Sequence, residues 1–277
     1  MKNRSSLMLK ITILLLLFSH SMLQAALLIS PTKIKLEDRE RATQLILINT
    51  SDAPITYRLS WEEKTVSDKG KYQQLTEQQL TTFPSASNMI RFSPKQVKLK
   101  PGSRQVIKIA VRRPKDLQMG EYRSHLKLSA VPDEREKPQN NEMSIKATML
   151  FSYVLPVIVR KGVATSAVTI TDISLKNKTE KTPVQLIVQM KNKSKYSTTG
   201  NLIAYLADSN GNEEVIARLH DFTFYPDKNR TQAQLVWLDN CKNKCSGRLR
   251  VAFEGIKENI GKIFAEQQID INADSFK

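Results

Sequence analysis

Side chains that commonly carry out catalysis are scarce in this 277-residue sequence. It has three histidines, His20, His125 and His220, and the last two lie within alternating, strand-like segments. A histidine in such a segment is far more often a packed or surface residue than a general base. The sequence has no Gly-x-Ser-x-Gly elbow, no His-Glu-x-x-His pair and no phosphate-binding glycine loop. We therefore predict a protein that is not an enzyme and has no metal or other cofactor.

The two cysteines, Cys241 and Cys245, form a Cys-Lys-Asn-Lys-Cys motif near the C-terminus. Two thiolates are too few for a structural zinc site, and no histidine lies near them in the sequence. A redox role would need a Cys-x-x-Cys motif at the start of a helix, which this sequence lacks. In an exported chain, such a closely spaced pair is expected to form a structural disulfide.

The N-terminus predicts export. Basic residues precede and flank the apolar run 11–18, and small and polar residues follow up to Ala25. This pattern is typical of a secretory signal peptide, and the run is far shorter than the roughly 20 residues that span a bilayer. We assign residues 1–25 to the signal peptide, with cleavage after Ala25 or, alternatively, after Ala26.

Basic side chains dominate the mature chain. Without the signal peptide, which contains Lys2, Arg4 and Lys10, 40 lysines and arginines stand against 27 acids, a net charge of +13. No zinc-finger spacing, helix-turn-helix pattern or aromatic-rich sheet motif points to nucleic acid. The basic residues do not gather on an amphipathic helix, which disfavours membrane binding. A solvated basic surface and a groove for a carboxylate remain as alternatives.

Alternation of apolar and polar side chains predicts β-strands in the first half of the mature chain. Segments 55–62, 105–111 and 120–128 alternate with a period of two, as half-buried strands do. The apolar run 45–48 precedes a turn-forming stretch, and Lys-Pro-Gly-Ser at 100–103 predicts a tight turn. Short strands at this spacing, with Pro and Gly between them, favour a β-sandwich. Residues 73–82 have the composition of a short helix.

The second half has the same character, which favours a second sandwich over one large all-β domain. A wholly polar loop at 132–142 precedes the long apolar segment 143–159, which we assign to the first domain as its last strand. The predicted domains are therefore 26–160 and 161–277. The strands predicted for the second domain are 168–175, 184–190, 201–206, 235–238, 248–253 and 262–271.

Several segments together resemble the PapD-like periplasmic chaperones of the chaperone–usher pilus pathway. The resemblance covers nearly all of the mature chain, more strongly in the first domain than in the second. Its motifs are residues 29–34, 47–61, 92–94 with 99–102, Arg-Arg-Pro at 112–114 with Gly-Glu-Tyr-Arg at 120–123, and, in the second domain, 261–266. The Arg-Arg-Pro and Gly-Glu-Tyr-Arg elements are closest in style to the archaic branch of that family.

The resemblance implies two immunoglobulin-like β-sandwich domains in a boomerang arrangement, and a location in the periplasm. It also implies a clamp of two cations that holds the terminal carboxylate of a pilus subunit. Lys33 matches the first cation, but Phe151 occupies the position expected for the second. We therefore predict Arg91, just before the Phe-Ser-Pro motif, as the second cation.

The resemblance also implies that the chaperone lends a β-strand to an incomplete subunit and passes the subunit to an outer-membrane usher. The expected donor segment is 143–151, in which one strand face is apolar over its whole length. The residues on that face are Met143, Ile145, Ala147, Met149 and Phe151. Such an exposed apolar strand also allows self-association. The alternative is that the same face packs inside the sandwich.

Two other functions compete with the chaperone. A pilus subunit or adhesin would also be exported and immunoglobulin-like, but it would have a single incomplete sandwich and a free donor segment. A binder of nucleic acid or polysaccharide would depend on the net charge alone and would bind in a strongly salt-dependent way. The length and the number of predicted strands favour the chaperone.

Overall fold

Two consecutive β-sandwiches make up the part of the chain that the structure describes. The structure, a computed structural model, describes residues 27–132, 150–176, 184–208, 210–237, 246–272 and 275. Within these ranges lie 18 β-strands and one short α-helix, which confirms the all-β prediction. The predicted signal peptide, Cys241 and Cys245 lie outside the described residues.

The first sandwich contains two sheets and a separate hairpin. Its strands are β1 (Leu27–Ser30), β2 (Ile34–Leu36), β3 (Ala42–Asn49), β4 (Ile55–Glu62), β5 (Lys64–Val66), β6 (Tyr72–Gln74), β7 (Ile90–Ser93), β8 (Gln96–Leu99), β9 (Arg104–Val111), β10 (Gly120–Val131) and β11 (Ser152–Lys161). One sheet has the order β1-β3-β9-β7, and the other has the order β2-β11-β10-β4-β8. Strand β2 runs parallel to β11, whereas every other pair in these two sheets is antiparallel.

The turn after β3 forms because a buried side chain completes it. Asn49 is fully buried, and its Nδ2 donates to the carbonyl oxygens of Ala53 and Leu99 at 2.8 and 3.1 Å. Its Oδ1 accepts from the backbone N–H of Ser51 at 3.0 Å. This Asx turn satisfies polar groups that would otherwise be buried without partners.

The predicted tight turn at 100–103 is also present. Ser103 N donates to Lys100 O at 3.0 Å, and Gly102 has a φ of +68°. A proline followed by a residue with positive φ is the sequence signature of a type II turn.

The predicted helix is shorter than expected. Helix α1 spans Glu77–Leu80 and begins with a capping box, in which Thr76 Oγ1 accepts from Gln79 N and Thr76 N donates to the Gln79 side chain. The upstream residues Tyr72–Gln74 instead form β6, which pairs with β5. The first part of the predicted helix therefore forms a strand instead, because its backbone pairs with β5.

The second sandwich follows a short linker. Its strands are β12 (Val168–Lys176), β13 (Gln185–Asn192), β14 (Thr198–Ala207), β15 (Glu213–Phe224), β16 (Arg230–Val236), β17 (Gly247–Gly255) and β18 (Ile263–Ile271). One sheet has the order β12-β13-β16 and the other has the order β15-β14-β17-β18. Strand β15 was missing from the sequence prediction.

Each sandwich has its own hydrophobic core. Alternate residues of β3 and β9 pack against residues of β10 and β11 in the first core. Residues of β13, β14 and β17 form most of the second. Each sandwich contains one tryptophan among its described residues: Trp61 packs against the first core, and Trp237 is buried in the second. The two cores are therefore packed separately.

Close packing against Tyr196 fixes the start of the linker between the sandwiches at Gly162. Gly162 has a φ of +86°, and a Cβ there would lie 2.8 Å from the hydroxyl oxygen of Tyr196. That hydroxyl donates to Lys161 O at 2.6 Å. Glycine is required here both by the backbone conformation and by this close contact.

Arg113 fixes the end of the first sandwich near the linker. Its guanidinium donates to four carbonyl oxygens, which are those of Leu36, Glu37, Glu40 and Arg160. Charged donors shared among several carbonyls hold irregular backbone in one arrangement.

In the described part of the chain, no helix has the length and apolar content needed to cross a membrane.

Candidate functional site

Lys33 lies where the two sandwiches meet. It occupies the connection between β1 and β2, and its Nζ donates a 2.7 Å hydrogen bond to Thr223 Oγ1 on β15. Partial burial removes water from the ammonium group and lowers the pKa of Lys33, a shift that Asp221 opposes. A partly dehydrated cation gains more from an anionic partner than a solvated one does.

A cleft of about 940 Å³ opens around Lys33. Its walls come from β2 and β11 of the first sandwich, from the linker, and from β14 and the β17–β18 loop of the second. Five cations and two acids line it: Lys33, Lys35, Arg160, Lys257 and Lys262, with Asp221 and Glu258. The cleft therefore has a positive balance of charge and suits an anionic group.

Arg160 belongs to a buried ion pair at the base of this cleft. Its Nε donates to Glu121 Oε2 at 3.0 Å, and its second terminal nitrogen donates to Ser197 O at 3.0 Å. The same carboxylate oxygen of Glu121 accepts from the N–H and the hydroxyl of Ser197, at 3.1 and 2.7 Å. Two strands of the first sandwich are thereby joined to the start of β14 in the second. Because its guanidinium is already paired in this network, Arg160 is not free to bind an anion in the cleft.

Lys35 is likewise paired. Its Nζ lies 2.8 Å from Glu258 Oε1 in the second sandwich and 3.3 Å from Glu37 Oε1 in the first. Among the described residues, the cleft cations without an acidic partner are therefore Lys33, Lys257 and Lys262.

A second network joins the sandwiches on the side of the β5–β6 hairpin. Arg123 on β10 is buried and donates to Asp227 Oδ2 at 2.9 Å, with its guanidinium 3.7 Å from the centre of the Tyr225 ring. Thr65 on β5 donates to the same carboxylate oxygen at 2.7 Å. The hydroxyls of Tyr72 on β6 and Tyr225 lie 2.9 Å apart. The hairpin therefore docks onto the second sandwich.

His125 lies beneath this hairpin. It is 1% exposed, and within the described residues neither ring nitrogen has a hydrogen-bond partner. The Tyr72 ring packs edge-on against the imidazole at 5.4 Å between centroids. Burial, together with the nearby cations Arg123 and Lys64, lowers the pKa of His125 to about 4. The sequence-based expectation of a packed histidine is consistent with this environment.

Strand β11 has an open edge that leads to Lys33. Strand β10 pairs with the whole length of β11, whereas β2, on the other side, pairs only with Val157–Val159. Within the described residues, the edge of β11 from Ser152 to Pro156 therefore has no neighbouring strand. Ile34 pairs with Val157, so Lys33 lies immediately beyond the end of this edge.

Of the predicted donor residues, the structure describes only Phe151. Met143, Ile145, Ala147 and Met149 lie outside the described residues. Phe151 directly precedes β11 and is 57% exposed. Alternation gives it the same strand face as Tyr153 and Leu155, which pack in the first core. The apolar face of β11 therefore continues beyond the core and becomes exposed to solvent.

The structure does not bring Arg91 to Lys33. Arg91 lies on β7, in the sheet that does not contain β2 or β11. Its side chain is exposed and donates to the carbonyl oxygen of Ile90 at 3.3 Å. Arg91 does not line the cleft between the sandwiches. Proximity to a Phe-Ser-Pro motif in sequence does not determine which sheet a strand joins.

The residues that join the sandwiches were not predicted as such. Glu121, Arg123 and Arg160 lie in strands, where a charged side chain is usually taken to face solvent. The sequence gives no local signal for them, because Glu121 and Arg123 lie on the polar face of a strand that alternates regularly. Only the structure shows that both side chains are buried, and a buried charge normally has a buried partner.

Comparison with known proteins gives structural likeness only. No family model matches this sequence, and no curated protein matches it. Among solved structures, a chain of the CsuC–CsuE chaperone–tip adhesion subunit pre-assembly complex, from archaic chaperone–usher Csu pili of Acinetobacter baumannii, is 15% identical. The alignment covers 89% of this chain and 98% of that chain, with a TM-score of 0.44.

Two further solved structures give similar values. The CupB2 chaperone of Pseudomonas aeruginosa is 14% identical, over 88% of this chain and 99% of that chain, with a TM-score of 0.44. The YadV chaperone is 14% identical, over 89% of this chain and 100% of that chain, with a TM-score of 0.45.

We predict that replacing Glu121 with Ala uncouples the two sandwiches. Removal of this carboxylate leaves the buried Arg160 with only the partly exposed Glu37 as an acidic partner, and breaking a buried ion pair typically costs about 3 to 5 kcal/mol. Unfolding in urea would be followed by the fluorescence of Trp61 in a W237F background and of Trp237 in a W61F background. The two transitions should coincide with Glu121 present and separate in the E121A variants. Asp270→Ala, which removes an exposed partner of Arg248, is the control and should leave them together.

We also predict that His125 makes the protein less stable in acid. Its folded pKa of about 4 lies below the unfolded value of 6.5, so the unfolded chain takes up a proton first as the pH falls. Stability is therefore lost between these two values, by about 2 kcal/mol from pH 7 to pH 5. H125F should lack this part of the loss in urea unfolding measured at both pH values. Equal pH dependence of the two proteins would contradict the assignment.

Proposed function

We propose that this chain is a periplasmic chaperone that binds incomplete pilus subunits by lending them a β-strand, and that it delivers them to an outer-membrane usher. One observation carries the proposal: the open edge of β11, from Ser152 to Pro156, ends at Lys33 in a basic cleft. An open strand edge provides backbone donors and acceptors for another chain. A cation at its end adds a site for one specific group of that chain.

The direction of β11 determines which group that is. A strand added to the open edge would continue the line of β2, which is parallel to β11 and begins at Ile34. If the added strand is also parallel to β11, its carboxyl end meets Lys33. A chain that terminates there places its α-carboxylate beside the partly dehydrated ammonium group. The pairing of strand and cation therefore suits the C-terminus of a bound subunit.

The apolar face of β11 supplies the second part of the interaction. Phe151 is the first exposed member of this face beyond the core, and the proposed donor residues Met143, Ile145, Ala147 and Met149 have the same parity. Inserted into a subunit that lacks a strand, these side chains would fill its exposed core. Methionine suits such a role because its flexible thioether adapts to different surroundings.

Several features of the sequence agree with this role. The N-terminal signal peptide would direct the chain to the periplasm, where Cys241 and Cys245 would form a disulfide. The described chain forms two sandwiches, each with two sheets and a core of its own. A pilus subunit would instead be expected to form a single incomplete sandwich. The unpaired strand edge would also allow the free chaperone to self-associate.

We predict that Lys33→Gln weakens subunit binding. Loss of a charge-assisted hydrogen bond worth about 1.5 to 3 kcal/mol corresponds to roughly a 10- to 150-fold loss of affinity. The tagged chain would be purified from the periplasm of its native cell, and the co-purified subunits would be identified and quantified by mass spectrometry.

Two matched variants control for a general loss of positive charge. Lys98→Gln removes an exposed lysine of β8, and Arg91→Gln removes the exposed arginine of β7. Both should retain subunits at the wild-type level, because neither residue lines the cleft. Retention of subunits by Lys33→Gln at the wild-type level, or an equal loss with Arg91→Gln, would show that the cleft is not the carboxylate site.

We predict that the double variant I145D/M149D loses subunit capture while the free protein stays folded. Two carboxylates on the donor face cannot enter an apolar groove without a large desolvation cost. The control S144D/T148D places the same charges on the other face of the strand and should capture subunits. Capture is measured by co-purification and folding by circular dichroism. If I145D/M149D unfolds, this face belongs to the core of the chaperone and the donor assignment is wrong.

A further inference from the structure

The loop between β17 and β18 has a fixed shape at the edge of the cleft. Gly255 N donates to Lys262 O at 2.8 Å, and Lys262 N donates to Asn259 O at 3.1 Å. A Cβ on Gly255 would lie only 2.1 Å from Asn259 O, so the loop closes this tightly only with glycine there. Loops that are closed by their own backbone present their side chains in a defined way.

The first sandwich holds this loop in place. Glu258 reaches across to Lys35 at 2.8 Å, and this contact lowers the pKa of Glu258. The loop thus forms the wall of the cleft that belongs to the second sandwich, whereas Lys33 comes from the first.

Backbone strain is concentrated on the side of the cleft that belongs to the second sandwich. Among the described residues, only two other than glycine have a positive φ, Asp221 at +52° and Lys257 at +54°. Both line the cleft around Lys33. A left-handed conformation costs a residue with a Cβ roughly 1 to 2 kcal/mol, and such residues tend to cluster where they serve a function.

Three side chains of the loop and its end, those of Lys257, Ile260 and Ile263, are exposed to solvent. Lys257 is exposed and, within the described residues, makes no side-chain hydrogen bond or ion pair. Ile263, at the start of β18, lines the cleft and is 54% exposed, whereas Ile260 is 79% exposed in the same loop but does not line the cleft. An unpaired cation beside two exposed isoleucines suits a ligand that has an anionic group next to an apolar side chain.

Lys33 and Lys257 line the same cleft. The charge of Lys257 contributes to lowering the pKa of Lys33. An anion between two cations removes their mutual repulsion, so a carboxylate placed there interacts favourably with both. The carboxylate would meet one cation from each sandwich.

We propose that the β17–β18 loop is the second half of the subunit site, in which Lys257 shares the terminal carboxylate with Lys33 and Ile260 packs against an apolar side chain near that terminus. This inference rests on the proposed function. It supplies the second cation that neither Phe151 nor Arg91 provides, and it places that cation on the second sandwich. Recognition of the subunit terminus then requires both sandwiches in their docked arrangement.

Synthetic peptides test this proposal on the full-length secreted protein. The probe is a fluorescent 12-residue peptide of alternating Val and Thr that ends in Leu with a free carboxylate. Its C-terminal amide and a version that ends in Ser are compared with it by fluorescence anisotropy. We expect the wild type to bind the free carboxylate more tightly than the amide, and Lys33→Gln to remove that preference.

The loop variants then isolate the new claim. Lys257→Gln should weaken binding of the free-carboxylate peptide about fivefold, as expected for an exposed charge pair, and leave the amide unaffected. Ile260→Ser should weaken the Leu-ended peptide about fivefold and leave the Ser-ended peptide unaffected. The matched control is Lys176→Gln, which removes an exposed lysine of β12 outside the cleft and should bind all peptides like the wild type.

The outcomes separate this inference from the proposed function. If Lys33→Gln loses the preference for a free carboxylate while Lys257→Gln and Ile260→Ser behave like Lys176→Gln, the loop takes no part and only the inference fails. If the wild type does not bind the free-carboxylate peptide, or does not prefer it to the amide, both fail.

Discussion

The ion pair between Arg160 and Glu121 is the interaction on which the rest of the site depends. It is buried at the junction of the sandwiches, and both partners also bond to Ser197 of the second sandwich. Charges buried in this way are costly unless all partners remain in place. The pair therefore tolerates little relative displacement of the two sandwiches. The cleft around Lys33 has a defined shape because its two walls are fixed to each other at their base.

Strand β11 connects this constraint to binding. Its last residues carry Arg160, its middle pairs with β2 beside Lys33, and its first residues form the open edge. An added chain would therefore meet, in order along one strand, unpaired backbone groups, a cation and the rigid junction. The proposed strand site and the proposed carboxylate site are consecutive parts of a single element, so their spacing is set by the 3.3 Å rise per residue of a strand.

Local patterns in the sequence predicted most of the strands but not how they associate. Residues 55–62 and 105–111 alternate because each strand has one face on a core, and this information is local. Strand β15 escaped prediction because two irregularities in its pairing with β14 break its alternation of buried and exposed residues. The position of Lys33 near the first strand was predicted. The partners of Arg123 and Glu121, which lie 104 and 76 positions away, have no local signature, so their interaction could not be predicted.

The β5–β6 hairpin affects the order in which the chain acquires its structure as it emerges. Thr65 and Arg123 both bond to Asp227, which follows them by 162 and 104 positions. A chain emerges from its N-terminus, so the first sandwich can assemble while the carboxylate that completes this contact has yet to appear. In the interval, the guanidinium of Arg123 and the underside of the hairpin stay hydrated. The two halves thus become a single cooperative unit only late in biogenesis, when the second sandwich closes over them.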